Sequence, residues 1–282
     1  MKTLGEILTL SAGYLKEQKI SSARLHAEEL LADVLGVKRL DLYMQFDRPL
    51  LDSELEPFRA QLKRRAKGEP LEYLLSQIEF FGCTFKLTPD VLIPRQETEI
   101  LLSKAVDLIA HSAAEGGSVW DICTGSGCLG VALKKRLPHL NVLLSDFSEQ
   151  ALEVAMANAE RNQVDVTLLQ GDLLKPFSGK RADFVICNPP YISSDEYLRL
   201  DREVKEFEPK MALTSGTTGF EFYERLSKEL PDFLNPKAQV FFEIGKDQAE
   251  GVLSLFNAPC WKNKRVEKDW AGHDRFFFLE FQ

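Results

Sequence analysis

Residues 118–130 read Ser118-Val119-Trp120-Asp121-Ile122-Cys123-Thr124-Gly125-Ser126-Gly127-Cys128-Leu129-Gly130. An apolar run of strand type, 118–123, breaks into a glycine-rich turn, and helical apolar spacing follows over 128–136. Glycines at such a turn permit positive φ and let a ligand approach the backbone, with the helix N–H groups aimed at it. Outward from this unit, strand and helix patterns alternate. Strands are expected at 118–123, 141–146, 166–170, 182–187, 238–244, 264–269 and 275–281, with helices near 128–136, 148–162, 219–230 and 246–257. This alternation predicts a seven-stranded, mostly parallel Rossmann-like α/β sheet with crossover helices. Only the turn 270–274 separates the last two strands, so an antiparallel edge is expected. Trp120 reads as a buried strand residue.

The ends of the first four strands hold the candidate site. Asp146 closes the second strand 19 residues after Gly127, the distance at which an acid meets ribose hydroxyls in a doubly wound fold. An adenosine-type cofactor is therefore expected. Gly125-x-Gly127-x-x-Gly130 also matches the dinucleotide fingerprint, which keeps a nicotinamide or flavin enzyme in view. Asp121 argues against it, because a carboxylate beside the loop repels a pyrophosphate but attracts the ammonium of a methionine moiety. Asp172, in Gln170-Gly171-Asp172 after the third strand, is either near an adenine amine or an ordinary turn aspartate.

The fourth strand ends in Cys187-Asn188-Pro189-Pro190-Tyr191. Two prolines cannot continue a ladder and hold the backbone as a stiff, extended turn whose carbonyls are free to accept hydrogen bonds. Asn188 adds an amide, and Tyr191 a flat face with a phenolic tip. Together they suit the clamping of a planar NH2 group. An ordinary strand end with a Pro-Pro turn is the bland alternative, and the upstream glycine loop weighs against it.

Residues 1–77 read as helices, with Leu4, Ile7, Leu8 and Leu15 on one stripe and Leu30, Leu31, Val34 and Leu35 on another. A further helix opens at Asp52-Ser53, with Glu56 placed for a capping box, and stops at Gly68. Its outer face is expected to carry Lys63, Arg64, Arg65 and Lys67, either as a solvated face or as a partner-docking patch. Residues 78–93, with Phe80, Phe81 and Phe85 around Gly82, read as a hairpin-like connection to a second domain at 94–282. The chain has 43 acidic and 35 basic residues, net −8, which argues against stable nucleic-acid binding. Its cysteines, 83, 123, 128, 187 and 260, are odd in number and lack paired CxxC spacing, so neither disulfides nor a metal site is expected. The first twenty residues lack the basic start and apolar core of a signal peptide, and no stretch reaches membrane-span length. A cytoplasmic protein is expected.

Taken together, these motifs resemble those of the bacterial release-factor glutamine methyltransferase family. The resemblance is carried by Asn188-Pro189-Pro190-Tyr191, Pro94-Arg95-Gln96-Glu97-Thr98-Glu99, Glu208-Pro209 with Ala212-Leu213, Gly219-Phe220 and Glu243-Ile244-Gly245, along with the small helical domain in front. It implies a class I methyltransferase using S-adenosylmethionine to methylate N5 of the glutamine in the Gly-Gly-Gln loop of peptide chain release factors 1 and 2. By position, the cofactor contacts fall on Asp121, Cys123, Thr124, Gly125, Ser126, Gly127, Asp146, Asp172, Leu173 and Asn188, and the substrate clamp on Asn188, Pro189, Pro190 and Tyr191. Cys123 departs from the family's usual Gly, and Gln96 from its usual Pro. Glutamine methylation of a ribosomal protein is the nearest rival, and adenine-N6 methylation of nucleic acid the next.

Overall fold

A computed structural model describes residues 2–112 and 116–282. Two compact units divide the chain: residues through Gln77 together with Asp201–Phe207, and Ile78–Leu200 with Glu208–Gln282.

The first unit is helical: α1 (Leu4–Glu17), α2 (Ala23–Leu35), α3 (Asp52–Ala66) and the short α4 (Leu71–Leu75). Their apolar stripes meet in a core that includes Leu4, Leu8, Leu15, Leu30, Leu31 and Phe58. The α1 start is closed reciprocally, with the Thr3 hydroxyl accepting from the Glu6 N–H and the Glu6 carboxylate from the Thr3 N–H. At α3 the reach-back residue is Glu54, whose carboxylate accepts from the Leu51 N–H at 2.9 Å. Glu56 does not serve there, because the cap is Leu51 and only the third helical residue curls back onto it. Arg65 also departs from the expected outer face. Its side chain is only 2% exposed, donating to His26 Nδ1, the Glu69 carbonyl and the Glu203 carboxylate, the last at 2.8 Å. Lys63, Arg64 and Lys67 are exposed, and Arg64 pairs with Glu69.

The second unit begins with a hairpin of β1 (Gln77–Phe80) and β2 (Cys83–Lys86), turned at Phe81-Gly82, both at positive φ. Then come α5 (Gln96–Ser112), β3 (Ser118–Ile122), α6 (Cys128–Arg136), β4 (Asn141–Asp146), α7 (Glu149–Asn162), β5 (Thr167–Gln170) and β6 (Ala182–Cys187). The stretch after β6 is broken into β7 (Ile192–Ser193), α8 (Ser194–Arg199), α9 (Arg202–Phe207), α10 (Lys210–Leu213) and β8 (Thr214–Gly216). Of these, α9 belongs to the helical unit. The chain ends with α11 (Glu221–Glu229), β9 (Leu234–Glu243), α12 (Ala249–Leu255), β10 (Trp261–Lys268) and β11 (Asp274–Phe281).

Seven strands form one sheet in the order β10-β11-β9-β6-β3-β4-β5. Pairing is parallel from β9 through β5, and β11 runs antiparallel to both β9 and β10, which gives the expected antiparallel edge. Side chains alternate between two cores. Val119, Phe184, Ile186 and Phe241 face the layer holding α5 and α6, while Trp120, Val185, Val240 and Phe242 face the other, where Trp120 stacks on Phe177 at 4.0 Å. β9 starts four residues earlier than its apolar pattern shows. Pro236 and Lys237, the latter at φ 65°, make an irregularity against β6 that sequence pattern reads as a strand boundary.

Candidate active site

The parallel strands β3, β4, β5, β6 and β9 end at one rim, and a cavity opens there with about 1100 Å³ of empty space, its mouth included. The glycine loop runs from β3 into α6. Cys123 takes φ 60°, Gly125 φ 54° and Gly127 φ 81°, so three residues of this turn occupy the left-handed region that glycine favours. The first is the position where the chain carries Cys. Gly130 is required by packing instead, since a Cβ there would lie 2.7 Å from Leu144 of β4.

Asp121 sits behind the loop, fully buried. Its Oδ2 accepts from the Thr124 hydroxyl at 2.5 Å and the Gly130 N–H at 2.8 Å, while Oδ1 is buried with no hydrogen-bond partner among the described residues. Burial pushes this carboxyl up to about 7, with the Thr124 and Gly130 hydrogen bonds opposing and the Asp146 charge adding. Asp146 accepts from the Gly125 N–H at 2.8 Å and the Ser148 N–H at 3.0 Å, tying the tip of β4 to the loop. Burial raises its carboxyl too, against those hydrogen bonds.

Of the residues singled out in the sequence, Cys123, Thr124, Gly125, Ser126, Asp146, Asp172, Leu173, Asn188 and Pro190 line this cavity. Asp121, Gly127, Pro189 and Tyr191 adjoin these residues in the chain and are not among the cavity's lining. The Asp172 carboxylate is already engaged, held at both oxygens by Arg225 and by Lys175, and these bonds draw its carboxyl down to about 2. Its neighbour Leu173 is buried.

The Asn188-Pro189-Pro190-Tyr191 segment after β6 is braced by side chains of α5 and β9. The Asn188 side-chain NH2 donates to the Thr98 hydroxyl at 3.2 Å, and that hydroxyl donates to Glu243 Oε2 at 2.7 Å. The Tyr191 phenol donates to the other Glu243 oxygen at 3.3 Å. Glu243 ends β9 fully buried; burial raises its carboxyl, opposed by the Thr98 bond and the Arg275 charge. Burial likewise pushes the Tyr191 phenol up. On the backbone side, Gln248 Nε2 donates to the Tyr191 and Gly219 carbonyls while its Oε1 accepts from the Gly245 N–H.

A second brace adjoins the cavity lining. Arg95 pairs with the buried Glu208, which also accepts from the Ile93 N–H, and this joins the segment before α5 to Pro209, Met211 and Ala212 along the cavity wall. Asn158, buried on α7, bonds the Ser126 carbonyl and both the N–H and carbonyl of Lys86, so it secures the loop and the hairpin together.

Comparison with known proteins places this arrangement. Residues 6–75 match the family model described as the PrmC N-terminal domain, and residues 97–203 the methyltransferase small domain. A release factor glutamine methyltransferase of Geobacter sulfurreducens is 41% identical over 273 residues, covering 97% of this chain and 95% of the relative. The chain belongs to the release factor glutamine methyltransferases. Another relative of that name, from Bacillus subtilis, is 37% identical over 281 residues, covering 98% of this chain and 96% of its own. In fold, a methyltransferase from Pyrococcus furiosus matches with a TM-score of 0.51 at 19% identity, covering 71% of this chain and 89% of that one.

Within this methyltransferase, the residues that sequence reasoning passed over as site members are Thr98, Glu243, Gln248 and Asn158. Glu243 carries one part of the signal that picked out Asp146, an apolar strand, Val240-Phe241-Phe242, ending in an acid at the same rim, but lacks the spacing from the glycine loop.

Proposed function

We propose that this methyltransferase modifies N5 of the glutamine in the Gly-Gly-Gln loop of peptide chain release factors 1 and 2, with S-adenosylmethionine as methyl donor. The observation that carries the reading is the shared cavity: residues of the glycine loop, Asp146, Asn188 and Pro190 all line it. Names and near-full-length similarity of the relatives support the substrate class.

The chain's residues fit the cofactor. Asp121 Oδ1, buried without a partner, is an acceptor awaiting a cationic donor, and an α-ammonium supplies one. Asp146 offers its carboxylate rim to ribose hydroxyls, the loop backbone from Cys123 to Gly127 holds the methionine portion, and Leu173 packs against the adenine. Asp172, committed to Arg225 and Lys175, serves through its backbone and position instead of a free carboxylate. The bound cofactor supplies an electrophilic methyl group on a sulfonium.

An amide nitrogen is a poor nucleophile because its lone pair is delocalised into the carbonyl, so the protein's task is orientation. Asn188 Oδ1 and the Pro189 backbone carbonyl accept the two amide hydrogens of the substrate glutamine. Both hydrogens are then held on the clamp side and the nitrogen lone pair faces the cavity. Tyr191 stiffens the clamp wall. The helical unit docks the protein substrate, and the enzyme works in the cytoplasm.

Transfer of radiolabelled methyl to purified, unmethylated release factor tests this, run beside a Gln→Ala variant of its Gly-Gly-Gln loop and a ribosomal-protein mixture. Label on the intact release factor alone is expected. Label on a ribosomal protein, or on the Gln→Ala variant, overturns the substrate assignment.

A further inference from the structure

We propose that Glu243, acting through Thr98, is a positioning residue that fixes the polarity of the Asn188 amide, so that its oxygen and never its nitrogen faces the substrate. The proposal rests on the clamp reading above and adds to it the reason the clamp points the right way.

An asparagine amide is nearly symmetric in shape, and a rotation about its terminal torsion exchanges an acceptor for a donor at little steric cost. In a clamp that must accept hydrogens from a substrate NH2, that exchange is fatal, because two NH2 groups would face each other. Something must forbid it. A threonine hydroxyl has one proton. That of Thr98, 2% exposed, is given to Glu243 Oε2 at 2.7 Å. With its proton committed, the Thr98 oxygen can only accept, and the Asn188 atom 3.2 Å from it must be the NH2. Asn188 Oδ1 is thereby left for the cavity.

The direction of the chain of bonds is set at Glu243. Its two oxygens receive two hydroxyl protons, from Thr98 and from Tyr191, and an ionised carboxylate can only accept. Burial raises this carboxyl, and it is the convergence of the two hydroxyls on separate oxygens, with the Arg275 charge beside them, that opposes burial and favours the ionised form. One buried carboxylate therefore fixes both the amide of Asn188 and the ring of Tyr191. The three elements it joins, α5, the end of β6 and the end of β9, all lie in the same unit.

Glu243→Gln is the informative change, since it keeps the shape and inserts an NH2. If that NH2 faces Thr98, the hydroxyl can accept from it and donate to Asn188, which reverses the amide. Thr98→Val removes the relay, and Thr98→Ser keeps it. Turnover on release factor is expected to fall about 100-fold in Glu243→Gln and Thr98→Val, the size of effect that a misplaced positioning group gives. In both, the affinity for S-adenosylhomocysteine and the KM for release factor should stay within about threefold, and Thr98→Ser should keep turnover within about threefold of wild type. A Thr98→Ser as slow as Thr98→Val, a Glu243→Gln as fast as wild type, or a parallel loss of cofactor affinity would each overturn the proposal.

A readout independent of the substrate separates this from the functional reading. The Asn188 side-chain NH2, assigned by NMR from its loss in Asn188→Asp, should exchange slowly with solvent in wild type and Thr98→Ser and rapidly in Thr98→Val and Glu243→Gln. Equal protection in all four refutes the relay. Should wild type label no release factor, the proposed substrate fails, and the exchange pattern still decides the relay.

Discussion

The backbone carbonyl of Tyr191 lies 2.7 Å from where a methyl group on Gly219 would sit. Gly219 also holds φ 87°, a region that costs an L-residue roughly 1–2 kcal/mol, and the Gln248 amide closes the remaining space at 2.8 Å. Gly219→Ala should therefore lower stability by about 2–4 kcal/mol and push the clamp out of register. Thermal melting with steady-state turnover checks this. Unchanged turnover in a folded variant would show that the Tyr191 backbone position is not critical.

Asp121 predicts opposite pH trends for folding and for cofactor binding. Its carboxyl holds its proton up to about 7 in the folded chain, against 3.8 as the ordinary value, so the folded state binds more protons between those limits. The contribution to stability is complete below the lower value and is lost as pH rises through about 7. The cofactor-free protein should accordingly show a Tm that declines over this range, and Asp121→Asn should flatten the decline. Binding of a cationic ammonium needs the ionised carboxylate, so S-adenosylhomocysteine affinity should rise up to about tenfold per pH unit below 7 and level above it. Calorimetry near pH 6 and pH 8 on both proteins measures the difference.

Asn188→Ala removes the acceptor and leaves the glycine loop, Asp121 and Asp146 untouched. Turnover should drop at least about 100-fold while S-adenosylhomocysteine affinity changes by less than about threefold. A large loss of cofactor affinity would mean that Asn188 serves the cofactor more than the substrate.

The two departures from the family pattern should be nearly neutral. Cys123 sits at φ 60°, where glycine is at ease, so Cys123→Gly exchanges relief of backbone strain for greater freedom of the unfolded chain. A net change within about 1 kcal/mol, with cofactor affinity kept, is expected. Gln96 is the first residue of α5, the helical position that best tolerates proline. Gln96→Pro should stabilise by about 0.5–1 kcal/mol in a denaturant titration.

How far the sequence carried depended on whether a feature is local. The strands of the central sheet and the turn at Gly125–Gly127 were legible because buried strands are short apolar runs and a glycine-rich break between strand and helix has few other uses. The start of β9 was not, because Pro236 removes a donor and Lys237 bends the backbone inside the strand. Arg65 looked like part of a solvated face because its carboxylate partner, Glu203, lies 138 residues away. Thr98 and Glu243 are likewise separated by 145 residues, and Thr98 and Asn188 by 90. Periodicity tells which way a side chain points, and only the folded sheet tells what it meets.

The path of α9 has a practical meaning for anyone dividing this protein into parts. The chain enters the helical unit a second time at Asp201–Phe207 and returns to the second unit at Glu208, one residue from the wall-forming Pro209. Glu203 within that excursion is the ion-pair partner of the buried Arg65. A deletion at residue 77 thus strands seven residues without the surface they fold against and orphans a loop that borders the cavity. Chimaeras that trade the helical unit between relatives must carry Asp201–Phe207 with it, making the exchangeable module discontinuous in the gene.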